Sequence, residues 1–148
     1  MNDSDINPVR ILLVEDNPGD VRLTTEALKD SKIFNKLDVV EDGDEALLYL
    51  NKEGKYSEAT TPDLILLDLD MPKTSGREVL EIIKKDPKLK RVPVVVLTVS
   101  QSDQDVLRSY DMHANAYVTK PINLNEFLQV IQSIENFWFT IVKYPYKD

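Results

Sequence analysis

Leu64-Ile65-Leu66-Leu67-Asp68-Leu69-Asp70-Met71-Pro72 is a run of four branched aliphatic residues that ends abruptly in an acid, with a proline four positions further on. Four consecutive apolar side chains cannot alternate between core and solvent, so the run reads as a strand buried on both faces, and Pro72 closes the turn that leaves it. Such a strand needs a covering layer on each side of its sheet. Working outward, four more short apolar or β-branched runs have the same character: Ile11–Val14, Leu37–Val40, Val94–Leu97 and Ala116–Thr119. Between and after them lie helical stretches at about Asp20–Asp30, Asp44–Asn51, Gly76–Lys85, Asp103–Met112 and Asn123 to about Phe139. In the third of these, Val79, Ile82 and Ile83 repeat at helical spacing. In the last, Leu124, Phe127, Leu128, Ile131, Ile134 and Trp138 form a long stripe. Pro72, Pro87, Pro93 and Pro121 all fall at predicted boundaries. Strands alternating with helices, joined by right-handed crossovers, predict an α/β fold: a doubly wound, five-stranded parallel sheet with five helices.

The chain has 148 residues, within the roughly 100 to 200 that one domain uses, so a single domain over 1–148 is expected. Apolar residues make up 42% and charged residues 30%, the balance of a globular protein rather than a disordered one. With 18 basic and 26 acidic residues the net charge is −8, which argues against a general nucleic-acid binder. The local basic cluster Lys84, Lys85, Lys88, Lys90 and Arg91 reads as a helix C-terminus favoured by the helix dipole. The absence of cysteine excludes disulfides, cysteine-ligated metals and thiol catalysis, and fits a cytoplasmic setting. No apolar run is long enough to span a bilayer, and the first ten residues, with Asp3 and Asp5, carry no secretory pattern. The one long polar connection, KEGKYSEATTP over Lys52–Pro62, reads as a surface loop.

In open parallel sheets, ligands collect beyond the carboxyl ends of the strands. At that edge this chain places Glu15 and Asp16 after the first strand, Asp68 after the third, Thr98 after the fourth and Lys120, followed by Pro121, after the fifth. Singly, each has a plain explanation; Asp16 or Asn17, for example, would cap the helix that starts near Pro18 and Gly19. Together they are harder to dismiss. Three carboxylates converging on one edge repel one another unless a cation joins them or one takes a proton. Oxygen-only ligation by few protein groups suits magnesium. A carboxylate beside such an ion can attack a phosphoryl group to give an acyl phosphate, with a fixed ammonium and a hydroxyl stabilising the charge on its oxygens. Asp68 is the candidate nucleophile, Lys120 the cation and Thr98 the hydroxyl. His113, the only histidine, reads as a surface residue beyond a helix end.

The ordered set ILLVEDNPGD, LILLDLDMP, VVVLTVS and AYVTKP resembles the receiver domain of two-component response regulators over about residues 8–135. The resemblance implies the flavodoxin-like strand order 2-1-3-4-5 and phosphorylation of Asp68 by a sensor histidine kinase. It implies magnesium bound by Glu15, Asp16, Asp68 and the backbone carbonyl of Asp70. It also implies phosphoryl contacts from Thr98 and Lys120, a switch role for Tyr117, and a cis peptide between Lys120 and Pro121. The KEGKYSEATTP loop, GREVLEIIK, LKRVPVVVLT and the tail IENFWFTIVKYP resemble, more narrowly, the small stand-alone regulators paired with cyanobacterial-type phytochromes. A phytochrome-like kinase is therefore the expected partner.

Two other function classes share parts of this pattern. A DxD at a strand end, as in Asp68 and Asp70, also occurs in aspartyl phosphatases of the haloacid dehalogenase type, but theirs usually ends the first strand and is not followed by a proline at the position of Pro72. A binding module that has lost phosphorylation is disfavoured by the retained Asp68, Thr98 and Lys120. The four glycines, Gly19, Gly43, Gly54 and Gly76, lie too far apart for a phosphate-binding loop. Signalling rather than turnover is the expectation. The C-terminal extension, 136–148, carries five of the eleven aromatic residues in its last twelve positions. A homodimer is expected to use Phe127, Phe137, Trp138, Phe139 and Tyr144 with the adjoining face of the predicted helix 103–112 and the fifth strand, which Tyr117 borders.

Overall fold

A computed structural model describes residues 8–30, 34–69, 71, 73–98, 114, 116–120 and 123–133. The elements are β1 (Val9–Val14), α1 (Pro18–Asp30), β2 (Asn35–Val40), α2 (Gly43–Leu50), β3 (Leu64–Asp68), α3 (Gly76–Lys85), β4 (Val94–Thr98), β5 (Ala116–Thr119) and α4 (Leu124–Ser133). The predicted helix 103–112 lies outside the described residues. So do Asp70, Pro121, His113 and the aromatic residues Phe137, Trp138, Phe139 and Tyr144.

All four strand pairings are parallel, in the order β2-β1-β3-β4-β5. The buried runs explain why two layers form. Alternate residues of each strand feed opposite cores. Leu12, Val14, Ile65, Leu67, Val94 and Val96 face Ala46, Tyr49 and Leu50 of α2 and Val79, Leu80 and Ile83 of α3. Ile11, Leu13, Leu64, Leu66, Val95, Leu97 and Val118 face Leu28 of α1 and Phe127 of α4. Both sides of the sheet are thus covered, as the continuous apolar runs require.

Three local differences from the sequence reading have simple causes. In α3 the buried residues are Val79, Leu80 and Ile83, whereas Ile82 is 43% exposed. At about 100° per residue, Val79, Leu80 and Ile83 share one arc and Ile82 falls off its edge. The α1 helix starts at Pro18, where a cap at Asn17 puts it and two residues before the stretch read from about Asp20, because proline is preorganised for a first helical position and Asn17 accepts from the Asp20 N–H at 3.0 Å. The connection over Lys52–Pro62 is more than a surface loop. It contains a 3₁₀ turn, Gly54–Tyr56, from which Tyr56 and Ala59 pack on the core.

Caps at the ends of α2 and α3 hold the loops that frame the carboxyl edge of the sheet. Asp42 accepts from the Glu45 N–H at 2.8 Å, and Ser75 accepts from the Glu78 N–H at 3.3 Å. The two loops also grip each other. Thr74 donates its hydroxyl to Asp44, and the Lys73 ammonium sits 3.5 Å from Asp42. Gly43 lies so close to the backbone of Thr74 that a Cβ there would collide with it.

Candidate functional site: an acidic cluster around a buried lysine

The strand order puts β1 and β3 side by side with the sheet extending away from both, so the topological switch point falls between them. Val14 pairs with Leu67, which brings Glu15, the residue just past β1, alongside Asp68, the last of β3. Asp68 in turn pairs with Leu97, and Thr98 with Thr119, leaving Lys120 just beyond β5 with its N–H bonded to the Thr98 carbonyl at 2.9 Å. The regular parallel register therefore aligns Glu15, Asp68, Thr98 and Lys120 along one edge.

Glu15, Asp68 and Thr98 are almost fully buried, and Asp16 is exposed. Because Asn17 supplies the α1 cap, Asp16 is not needed for that task. The Lys120 ammonium contacts three carboxylates: Glu15 Oε1 at 2.6 Å, Asp68 Oδ1 at 3.1 Å and Asp20 Oδ2 at 3.1 Å. The Asp20 contact is a hydrogen bond. The Glu15 contact is an ion pair, and Oε1 is a buried oxygen without a hydrogen-bond partner. Glu15 Oε2 accepts from the Asn17 N–H at 3.3 Å.

One ammonium among this many acids leaves a net negative charge in a buried place. Burial, reinforced by the neighbouring Asp68 and opposed by Lys120, pushes the Glu15 carboxyl up to about 7. Burial alone would lower the Lys120 value, but Glu15, Asp68 and Asp20 together raise it above the ordinary lysine range. Lys120 is thus a permanent cation at neutral pH, and Glu15 carries the strain of the excess negative charge.

The same arrangement fits a divalent metal. One oxygen each from Glu15, Asp16 and Asp68 lie within 4.8 Å of one another. Ligands on one small ion at about 2.1 Å stand roughly 3 to 4 Å apart, so small shifts would let all three converge. The oxygen-only set and the Glu15 oxygen that lacks a donor both suit a hard cation. The fourth expected ligand, the Asp70 carbonyl, lies outside the described residues.

Among the other expected site residues, Tyr117 is half-buried on β5 opposite Val96 and packs against the core beneath α2 and α3. Phe127, expected at a dimer face, is instead 1% exposed inside the core between the sheet and α4. Its position in the helical stripe points it at the sheet, so the correction follows from the same periodicity. In the sequence Asp20 marks only the start of a helical stretch. It stands 100 positions from Lys120 in sequence, and only its spacing of four from Asp16 hinted that it shares their edge.

The sequence pattern of the response regulator receiver domain matches residues 11–132. The chain belongs to the response regulator receiver family. It is 48% identical over 145 residues to response regulator Rcp1 of Synechocystis sp. (strain ATCC 27184 / PCC 6803 / Kazusa), covering 98% of this chain and 99% of that one. The crystal structure of the phosphorylated cyanobacterial phytochrome response regulator RcpA superposes with a TM-score of 0.76 at 50% identity, over 94% of this chain and 99% of RcpA. The Mn(2+)-bound form of Rcp1 gives a TM-score of 0.73 at 42% identity, over 95% and 98% of the two chains. The flavodoxin-like order expected from the resemblance is the order observed. The protein is a receiver-domain response regulator homologous to phytochrome response regulators, in a family that binds a divalent metal. The match leaves the haloacid dehalogenase alternative without support. No helix among the described residues is long and apolar enough to cross a membrane.

Proposed function

We propose that the whole chain, 1–148, is a single-domain switch in which Asp68 accepts a phosphoryl group from the phosphohistidine of a phytochrome-like sensor kinase. In that step an Asp68 carboxylate oxygen bonds to phosphorus, the phosphorus–nitrogen bond breaks, and the imidazole leaves with its electron pair and takes up a proton. Glu15, Asp16, Asp68 and the Asp70 carbonyl would hold Mg2+, which when bound neutralises the phosphoryl oxygens and the acidic cluster. Lys120 supplies a fixed positive charge to one phosphoryl oxygen, and Thr98 supplies a hydroxyl to another. Because Thr98 ends β4 next to β5, its inward movement would free space for Tyr117 to turn into the core. The protein passes a signal rather than a product, in the cytoplasm, without contacting nucleic acid or membrane. A homodimer built on the tail aromatics Phe137, Trp138, Phe139 and Tyr144 would read the state of the β5 face.

The observation that carries this reading is the buried Asp68 carboxylate 3.1 Å from the Lys120 ammonium and grouped with Glu15 and Asp16. Incubation with an autophosphorylated phytochrome-type histidine kinase and Mg2+ tests it. Wild type becomes labelled by an acid-stable, base-labile acyl phosphate, and Asp68→Asn does not. Label retained by Asp68→Asn, or none on wild type with any such kinase, overturns the assignment.

A further inference from the structure

We propose that Asp20 is a positioning residue that competes with the phosphoryl group on Asp68 for the Lys120 ammonium, acting as a latch on the unphosphorylated state. The proposal rests on Asp68 being the phosphoacceptor. An ammonium has three donor hydrogens, and Lys120 faces three carboxylates: Glu15, Asp68 and Asp20. Lys120 already donates a hydrogen bond to Asp20 and stands in ion-pair contact with Glu15 and Asp68. A phosphoryl oxygen that gains the ammonium therefore competes with these carboxylates for it.

Asp20 is the one placed to do so. Glu15 and Asp68 are buried to 1% and 4% side-chain exposure, whereas Asp20 is 28% exposed and water can replace the lysine at its carboxylate. Asp20 also draws Lys120 toward the first turn of α1. There Asp20, Leu23 and Thr24 line one side of a shallow recess whose other side is Glu15, Leu97 and Lys120 itself. An ammonium shared between Asp20 and Asp68 is held partway between the latch and the phosphoryl position. The side chain of Asp20 has no part in capping its helix. The Asn17 cap uses the Asp20 backbone N–H, and Thr24 Oγ1 donates to the Asp20 carbonyl at 2.8 Å. A change at the side chain therefore tests the latch without removing the local backbone bonds.

Beryllofluoride, with Mg2+, is the probe for the phosphoryl-bound state of the full chain. Removing a partly exposed charge-assisted partner should tighten beryllofluoride affinity about three- to tenfold in Asp20→Ala, and Asp20→Asn should move the same way. Asp20→Glu should restore much of the wild-type value. Simple charge repulsion between Asp20 and the probe would also tighten binding, so the comparison is repeated with Lys120→Ala. A latch acting through the lysine loses most of its effect there, and repulsion keeps it. If Lys120→Ala binds too weakly to measure, the Lys120 Nζ signal is followed by NMR. In Asp20→Ala before probe is added, it should already lie shifted toward its bound position. Equal tightening in both backgrounds, weaker binding in Asp20→Ala, or an unmoved Nζ signal overturns the latch while leaving Asp68 as acceptor. Failure of wild type to bind beryllofluoride overturns both readings together.

Discussion

Two corners of this molecule bring acids together with partners at least partly shielded from solvent, and they solve the electrostatic problem in opposite ways. Beneath α2, Tyr49 donates its hydroxyl to Asp38 Oδ2 at 2.5 Å and Tyr56 donates to Glu45 Oε2 at 2.6 Å. The two rings stand 5.3 Å apart at 60°, and Lys55 sits 5.2 Å from the Tyr56 ring and 3.4 Å from Glu45. Burial, then Asp38, raises the Tyr49 hydroxyl far above its ordinary value, and burial, then Glu45, pushes Tyr56 up to about 12. Each acid thus has a neutral donor that never ionises near neutral pH. At the carboxyl edge of the sheet, by contrast, acids outnumber the one lysine, and burial together with Asp68 pushes the Glu15 carboxyl up to about 7. The tyrosine corner is balanced and should act as structure. The Lys120 corner is unbalanced, which makes it receptive to a cation or a phosphoryl group at some cost in stability.

The largest effect should come from the backbone that supports the unbalanced corner. A Cβ at Gly76 would overlap the Asp68 carbonyl oxygen and lie 2.8 Å from Leu69 Cα, so Gly76→Ala should lose about 2–4 kcal/mol of stability. Denaturant unfolding of the variant measures it. A loss below 1 kcal/mol would show that the exit of β3 is softer than its packing suggests.

Next in size is the protonation of Glu15. Its folded value of about 7 lies above the ordinary glutamate range, so the folded state binds more protons between the two and metal-free stability falls as pH rises through that window. Glu15→Gln, which cannot ionise, should therefore stabilise the metal-free protein on the order of 1–3 kcal/mol at pH 8 and little at pH 4.5. The same variant should blunt the rise in melting temperature that millimolar Mg2+ gives wild type. A gain independent of pH would remove the charge imbalance from the account.

The balanced corner should behave in the reverse sense. Tyr49→Phe leaves the Asp38 oxygen without its donor and should cost about 1–2 kcal/mol, with no effect on phosphoryl labelling. Tyr56→Phe, less buried, should cost about 0.5–1 kcal/mol. If either change alters labelling as strongly as Glu15→Gln does, the two corners are not separate devices.

The carboxyl-edge residues were legible before any coordinates because they sit one position past strands whose ends the apolar runs mark. Glu15, Asp68, Thr98 and Lys120 follow Val14, Leu67, Leu97 and Thr119, and the parallel register converts that one-dimensional rule into a cluster. The Tyr49–Asp38 and Tyr56–Glu45 pairs were not legible, since residues eleven apart on a strand, a helix and a 3₁₀ turn meet only through the particular path of that connection.

The amino-acid sequence by itself determined the alternation of strands and helices, the edge that carries the chemistry, and the identity of the acids, hydroxyl and lysine there. Those are consequences of period, burial and chain direction, which act within a few residues. Only the tertiary structure decided how the charges are shared. It placed Asp20 on Lys120 across 100 positions and joined Tyr49 to Asp38 and Tyr56 to Glu45. Each of these depends on distances between separate elements, and a Coulombic or hydrogen-bonded partner is chosen by distance in space, which no local pattern encodes.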